Sequence, residues 1–149
     1  VAPGALGALP ESHQMSFESL GLAAPLVRAT VDLGWTRPTP IQLDAIQPAR
    51  EGHDLLACAQ TGSGKTAAFL LPVLHRLLAL PTRATRALVL VPTRELAAQV
   101  HADFTALAQF TTLRGAAVFG GVGMTPQEQA FRNKVDVIIA TPGRLLDHI

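Results

Sequence analysis

The run Ala59-Gln60-Thr61-Gly62-Ser63-Gly64-Lys65-Thr66 places two glycines, a lysine and a hydroxyl at the spacing of a phosphate-holding loop. Gly62 and Gly64 permit positive φ and let a backbone come close to a ligand. The apolar run Leu55–Cys58 before it reads as a strand, and Ala67–Leu71 after it reads as a helix. A helix starting there aims its unpaired N–H groups and positive dipole end at an anion. Lys65 would reach the β- and γ-phosphates of a nucleotide, and Thr66 would ligate Mg²⁺ through its hydroxyl. The general pattern opens with glycine, whereas Ala59 holds that slot here. The plain alternative is a glycine-rich turn that only packs a helix on a strand.

Other short runs carry chemistry of the same kind. Pro38-Thr39-Pro40-Ile41-Gln42 lies upstream, with Phe17 well before it. The amide of Gln42 holds both a donor and an acceptor, so it can pair with adenine N6 and N7; it is otherwise a helix-surface glutamine. Pro92-Thr93-Arg94-Glu95-Leu96-Ala97 starts a helix where a strand ends, the position at which open α/β sheets bind ligands. Thr93 offers a hydroxyl and Arg94 a guanidinium to a phosphate. Glu95, which would repel a polyanion, reads as orienting its neighbours. Thr141-Pro142-Gly143-Arg144 repeats that arrangement, and Gly120-Gly121 allows close approach of a sugar–phosphate chain. Taken singly, the glycines are a turn and the arginines are surface charges.

The elements that must position these groups alternate. Pro25 suits a first helical turn, with a helix over Leu26–Leu33 closing at Gly34, and a second helix runs from about Pro40 to Arg50, stopping at Gly52. Trp35, beside Gly34, reads as packing. Ala87–Val91 is a continuous apolar run, as in a strand buried on both faces. Leu96, Ala97, Val100, Phe104, Leu107 and Ala108 then share one helical face. Gly115–Phe119 reads as a further strand, and Thr125-Pro126 as N-cap and N1 of a helix to about Arg132. Val135–Ala140 is the next strand, and Leu145 begins another helix. Strand–helix alternation implies an α/β fold with a parallel sheet and right-handed crossovers.

Composition bounds the rest. A chain of 149 residues, 48% apolar, makes one domain or part of one. The formal net charge of +1 neither announces nor excludes a nucleic-acid partner, because backbone amides also hold phosphates. Cys58 is the only cysteine, which leaves no disulfide framework; it reads as a small buried residue ending the first strand. The histidines are scattered without metal-ligand spacing. Without an apolar span or a signal-peptide pattern, no membrane and a cytoplasmic location are expected. Residues 1–16 read as a flexible lead-in or appended extension, with Met15 a candidate natural start, and 17–149 as the folded part.

The order and content of these runs, from Phe17 to Ile149, closely resemble the first RecA-like domain of DEAD-box RNA helicases. The resemblance implies a P-loop domain that takes ATP and Mg²⁺, with Lys65 and Thr66 as catalytic groups. It implies that Arg37, Gln42 and Ala59–Thr66 bind the nucleotide and that Phe17 stacks on the adenine; the plain alternative for Phe17 is an N-terminal hydrophobic anchor. It implies that Pro92, Thr93, Arg94, Gly120, Gly121, Thr141, Pro142, Gly143 and Arg144 line an RNA path and grip the backbone. The family draws its Mg²⁺-holding carboxylates from an Asp-Glu-Ala-Asp run, and its arginines from a second RecA-like domain. Neither is in this sequence, and Asp136, inside a strand, is no substitute.

The expected fold is therefore incomplete at the C-terminus, with unpaired sheet edge beside the P-loop strand. The parent protein would be an ATP-dependent RNA helicase, and this part alone a nucleotide- and RNA-binding module without turnover. The alternative is a related P-loop helicase acting on DNA. RNA substrate and oligomeric state are not legible.

Overall fold

A computed structural model of the chain describes residues 15–81 and 84–148. The expected lead-in falls outside them except for Met15 and Ser16. A short 3-10 turn, Glu18–Leu20, precedes α1 (Ala24–Asp32) and α2 (Pro40–Arg50). Next come α3 (Lys65–Leu78), β1 (Ala87–Leu90), α4 (Arg94–Ala108), β2 (Gly115–Val118) and α5 (Met124–Arg132). β3 (Val137–Ala140) and α6 (Pro142–Leu146) complete the order. The fold is α/β: a three-stranded parallel sheet in the order β1-β3-β2, flanked by helices.

Alternation along β3 explains the layering. Val137 and Ile139 point into a core shared with α1, α3 and α4, built on buried residues such as Leu26, Leu70, Leu74 and Leu107. Ile138 and Ala140 point the other way, onto Val118, Ala130 and Val135 beneath α5. Each fully buried leucine contributes about 1.5–3 kcal/mol of hydrophobic stabilisation as an upper estimate. A buried ion pair ties the amino ends of the strands together. Arg86 Nη2 bonds Asp136 Oδ1, while Asp136 Oδ2 accepts from the Arg114 N–H at 2.8 Å. Asp136 thus lies just before β3, engaged in structure, away from the loop around Lys65.

Register fixes where the strands end. Leu90, Ala140 and Val118 stand side by side across the sheet. The segments that follow them therefore emerge together at its carboxyl edge.

Several expectations change. Leu55–Cys58 is not a strand: among the described residues no strand pairs with it, Leu56 is 97% exposed, and Cys58 is exposed rather than buried. A strand holds its extended form through neighbours that satisfy its amides and cover its faces, and this segment has neither. β1 is half-buried on one face and exposed on the other. It is an edge strand, with Leu88 51% and Leu90 55% exposed on the uncovered side. An apolar trough of about 510 Å³, lined by Leu55, Ala57, Phe69, Val73 and Leu90, separates the two segments. Finally, α5 is capped by Gly123 rather than Thr125, and α6 begins at Pro142, earlier than Leu145.

Candidate nucleotide and nucleic-acid sites

The loop 59–64 folds back on the lysine that follows it. Gly62 and Gly64 take φ of 77° and 87°, in the left-handed region that favours glycine. That geometry turns the chain directly into α3, so Lys65 and Thr66 occupy its first turn. Lys65 Nζ donates to the carbonyls of Ala59 and Gln60 at 2.5 and 2.6 Å. In this state the ammonium neutralises loop carbonyls, the position from which an incoming phosphate would draw it. Ser63 Oγ is buried without a hydrogen-bond partner, and so is Thr39 Oγ1 across the loop.

Gln42 joins α2 to this loop. With Thr39 it makes a capping box. The Gln42 half is the firm one: the Thr39 N–H donates to Gln42 Oε1 at 3.0 Å, whereas Thr39 Oγ1 finds no partner. Gln42 Nε2 donates to the Gly64 carbonyl at 3.2 Å. The side chain is therefore buried, 4% exposed, and is not a surface glutamine. A primary amide has two N–H groups and two acceptor lone pairs, so one of each remains for a base. A Cβ at Gly64 would collide with Gln42 Nε2, so loop and glutamine fit only with glycine there.

A cavity of about 680 Å³ brings Phe17, Arg37 and Gln42 together with Thr61, Gly62 and Gly64–Thr66. Phe17 is 4% exposed and packs into the core, its ring 6.1 Å from Trp35, so it both anchors the segment and lines the cavity. Two long-range bonds hold that segment: Arg50 Nη1 donates to the Leu20 carbonyl at 2.6 Å, and the Ala23 N–H donates to His75 Nδ1 at 3.0 Å. Burial, reinforced by the nearby Arg50 charge, lowers the His75 pKa, in keeping with a neutral acceptor. Among the lining residues that the sequence reading did not assign to the site, three are aromatic or polar side chains from α4 or the turn after α1. Trp35 lines the cavity besides packing, and Gln99 and Asp103 come from α4. Burial raises the Asp103 pKa. Their signal was the helical spacing of Gln99 and Asp103 (i, i+4) on the turns beyond Leu96.

The second group of residues gathers at the carboxyl edge of the sheet. Thr93 caps α4, its Oγ1 accepting from the Leu96 N–H at 3.2 Å, which leaves its hydroxyl proton free to donate. Arg94 is exposed, and its Nε donates to Glu95 Oε1 at 2.8 Å. That bond holds the Glu95 carboxyl below its ordinary pKa. Arg94 Nη1 lies 3.1 Å from where a Cβ of Gly121 would stand. Gly121 has φ 86°, and nothing lies within 4 Å of a Cβ at Gly120, so this turn presents bare backbone. Thr141 precedes α6 with no side-chain cap bond, and Pro142 and Gly143 form its exposed first turn. Arg144 differs from Arg94: its side chain is 15% exposed and is pinned to Gln127 and to the Val122 carbonyl.

The fold defines a RecA-like α/β domain, with a glycine-rich loop leading into α3. The family model described as DEAD/DEAH box helicase matches residues 39–149. The chain belongs to that family. It is 52% identical over 139 residues to DEAD-box ATP-dependent RNA helicase 28 of Oryza sativa subsp. japonica, covering 92% of this chain and 17% of that protein. To ATP-dependent RNA helicase drs1 of Sclerotinia sclerotiorum it is 47% identical over 145 residues, covering 96% of this chain and 18% of that protein. Among solved structures, the RNA helicase Prp28 from Chaetomium thermophilum bound to ADP matches with a TM-score of 0.83 and 40% identity. That match covers 90% of this chain and 34% of the other. The chain thus spans less than a fifth of the length of these two sequence relatives.

Proposed function

We propose that this chain binds adenine nucleotide in the cavity between Phe17, Gln42 and the loop 59–66, as the nucleotide-holding part of an ATP-dependent RNA helicase. The bond from Gln42 to the Gly64 carbonyl carries the proposal, because it sets an adenine-matching amide against a phosphate-matching loop. Lys65 supplies the cation for the β- and γ-phosphates, and the α3 N–H groups and Ser63 supply donors. Arg37 and Phe17 flank the base and sugar. The relatives' description as ATP-dependent RNA helicases and the ADP-bound state of the Prp28 structure support it.

Thr66 offers one hydroxyl to Mg²⁺. Among the described residues, no group of three or more His, Cys, Asp or Glu is placed to hold a metal ion. When bound, Mg²⁺ would neutralise charge on the phosphates. RNA runs over the carboxyl edge of the sheet, where Thr93, Arg94, Gly120, Gly121 and Thr141–Arg144 present donors to its backbone. In the full protein, ATP-driven closure against a second RecA-like domain separates RNA strands locally. Alone, this chain binds without turnover.

Replacing Lys65 by Ala in the full-length protein tests the assignment. RNA-stimulated ATP hydrolysis should vanish. Undiminished turnover would contradict it, and stimulation by DNA above RNA would favour the DNA-acting alternative.

A further inference from the structure

One buried polar side chain lies outside the machinery described so far. Gln127, on α5, is 5% exposed, and its amide bonds the residue just before Gly120-Gly121 and, on the other side, Arg144 and His148. Its Nε2 donates to the Phe119 carbonyl at 3.0 Å. Its Oε1 accepts from Arg144 Nε at 3.2 Å and meets His148 Nε2 at 3.2 Å. Arg144 Nη2 in turn donates to the Val122 carbonyl. The two carbonyls that bracket Gly120-Gly121 are thereby tied to two side chains that are bonded to each other. Turn, glutamine, arginine and α6 form one closed ring of bonds.

We propose that Gln127 is a positioning residue for nucleic-acid grip, locking the Gly120-Gly121 turn to the start of α6 through Arg144. The physical reason is entropic. A glycine pair is the most freely moving dipeptide in a chain, and ordering it on binding opposes affinity. The ring holds both ends of the pair before a ligand arrives. It also satisfies two carbonyl oxygens that would otherwise face a polyanion with unpaired negative dipoles. Arg144 acts here as a brace as much as a surface cation, in keeping with its small exposure, while Arg94, exposed beside Gly121, remains the direct contact. This role presupposes that the carboxyl edge faces RNA, as proposed above.

The test uses the full-length protein and a single-stranded oligouridine, with RNA-stimulated ATPase kinetics as the readout. Gln127→Met keeps length and apolar volume but removes the bonds that Gln127 gives the ring, leaving only Arg144 on the Val122 carbonyl. It should raise KM for RNA roughly tenfold, the scale of losing one or two such bonds, with KM for ATP and kcat at saturating RNA unchanged. Gln127→Glu, whose carboxylate still accepts from Arg144 but cannot donate to Phe119, should fall between the two. If Gln127→Met does not fold, Gln127→Glu carries the test alone and should raise KM for RNA by a smaller factor with kcat at saturating RNA unchanged. An unchanged KM for RNA, or a loss spread equally over kcat and both KM values, would overturn the positioning role. Arg94→Ala separates the two layers. Unchanged RNA affinity in Arg94→Ala would remove the RNA path itself. Weakened affinity there with an unaffected Gln127→Met would remove only the ring's function.

Discussion

Replacing Gln42 by Ala perturbs two properties at once, and the structure allows each to be sized. The wild-type amide makes one bond to the Thr39 N–H and one to the Gly64 carbonyl. Each is worth about 0.5–1.5 kcal/mol net, so Gln42→Ala should destabilise the fold by roughly 1–3 kcal/mol. The remaining N–H and lone pair are free to meet an adenine. A bidentate contact of that kind discriminates between bases by about 1–3 kcal/mol, or roughly 5- to 150-fold in affinity ratio. Gln42→Glu separates the effects. Its carboxylate still accepts from Thr39 but donates neither to Gly64 nor to adenine N7, so it should keep the cap while losing most of the base preference. The assay is isothermal titration of wild type and both variants with ADP and GDP, beside chemical denaturation of each. An ADP-to-GDP ratio that stays at the wild-type value in both variants would refute the reasoning, leaving Gln42 a purely structural link.

Two other perturbations follow from the same geometry. Gly64→Ala forces a Cβ onto Gln42 Nε2 at a φ of 87°, so it should weaken ADP binding and lower stability by about 1–3 kcal/mol; a variant with wild-type affinity and melting temperature would contradict it. His75 accepts a hydrogen bond only when neutral, and burial with the Arg50 charge lowers its pKa. Its contribution to stability is therefore present above the unfolded histidine value of about 6.5 and is lost as pH falls through the lower folded value. The anchoring of the Phe17 segment should loosen over that acid window, and His75→Phe should flatten the dependence. Denaturation midpoints against pH check this, and an equal acid loss in His75→Phe would refute it.

How far the sequence could be read depended on what each residue needed from its neighbours. Helix boundaries were legible where local chemistry sets them. Pro40 and Gly52 bracket α2, and Gly34 at φ 74° ends the turn after α1. The apolar period from Ala97 to Ala108 identified the buried face of α4. Strand burial was less legible, because the apolar run of β1 looks the same whether a sheet continues past it or stops. The order β1-β3-β2 shows that β1 is an edge, and the exposure of Leu88 and Leu90 shows that one of its faces is uncovered. The same ambiguity made Leu55–Cys58 read as a strand.

In the site, residue types with one obvious chemistry were visible: the glycines and lysine of the loop, and the hydroxyl–guanidinium pairs after strands. What a side chain bonds to was not. Gln127 carries no motif of its own in the sequence, and its three-way contact exists only because α5, α6 and the turn after β2 converge. Arg144 and Arg94 looked alike beside their threonines, yet one is braced and the other exposed. Asp103 and Gln99 reach the cavity from a helix whose numbering lies far from the loop it faces.

The central claim is that the bend at Lys65, bonded to Gln42, takes an adenosine polyphosphate. Backbone amide NMR of this chain titrated with MgADP addresses it directly. The account predicts saturable shifts concentrated at Phe17, Thr39, Gln42 and Thr61–Thr66, with Lys65 exchanging its carbonyl partners for phosphate. Amides there that stay unmoved at saturating nucleotide, or shifts confined to another part of the fold, would contradict it.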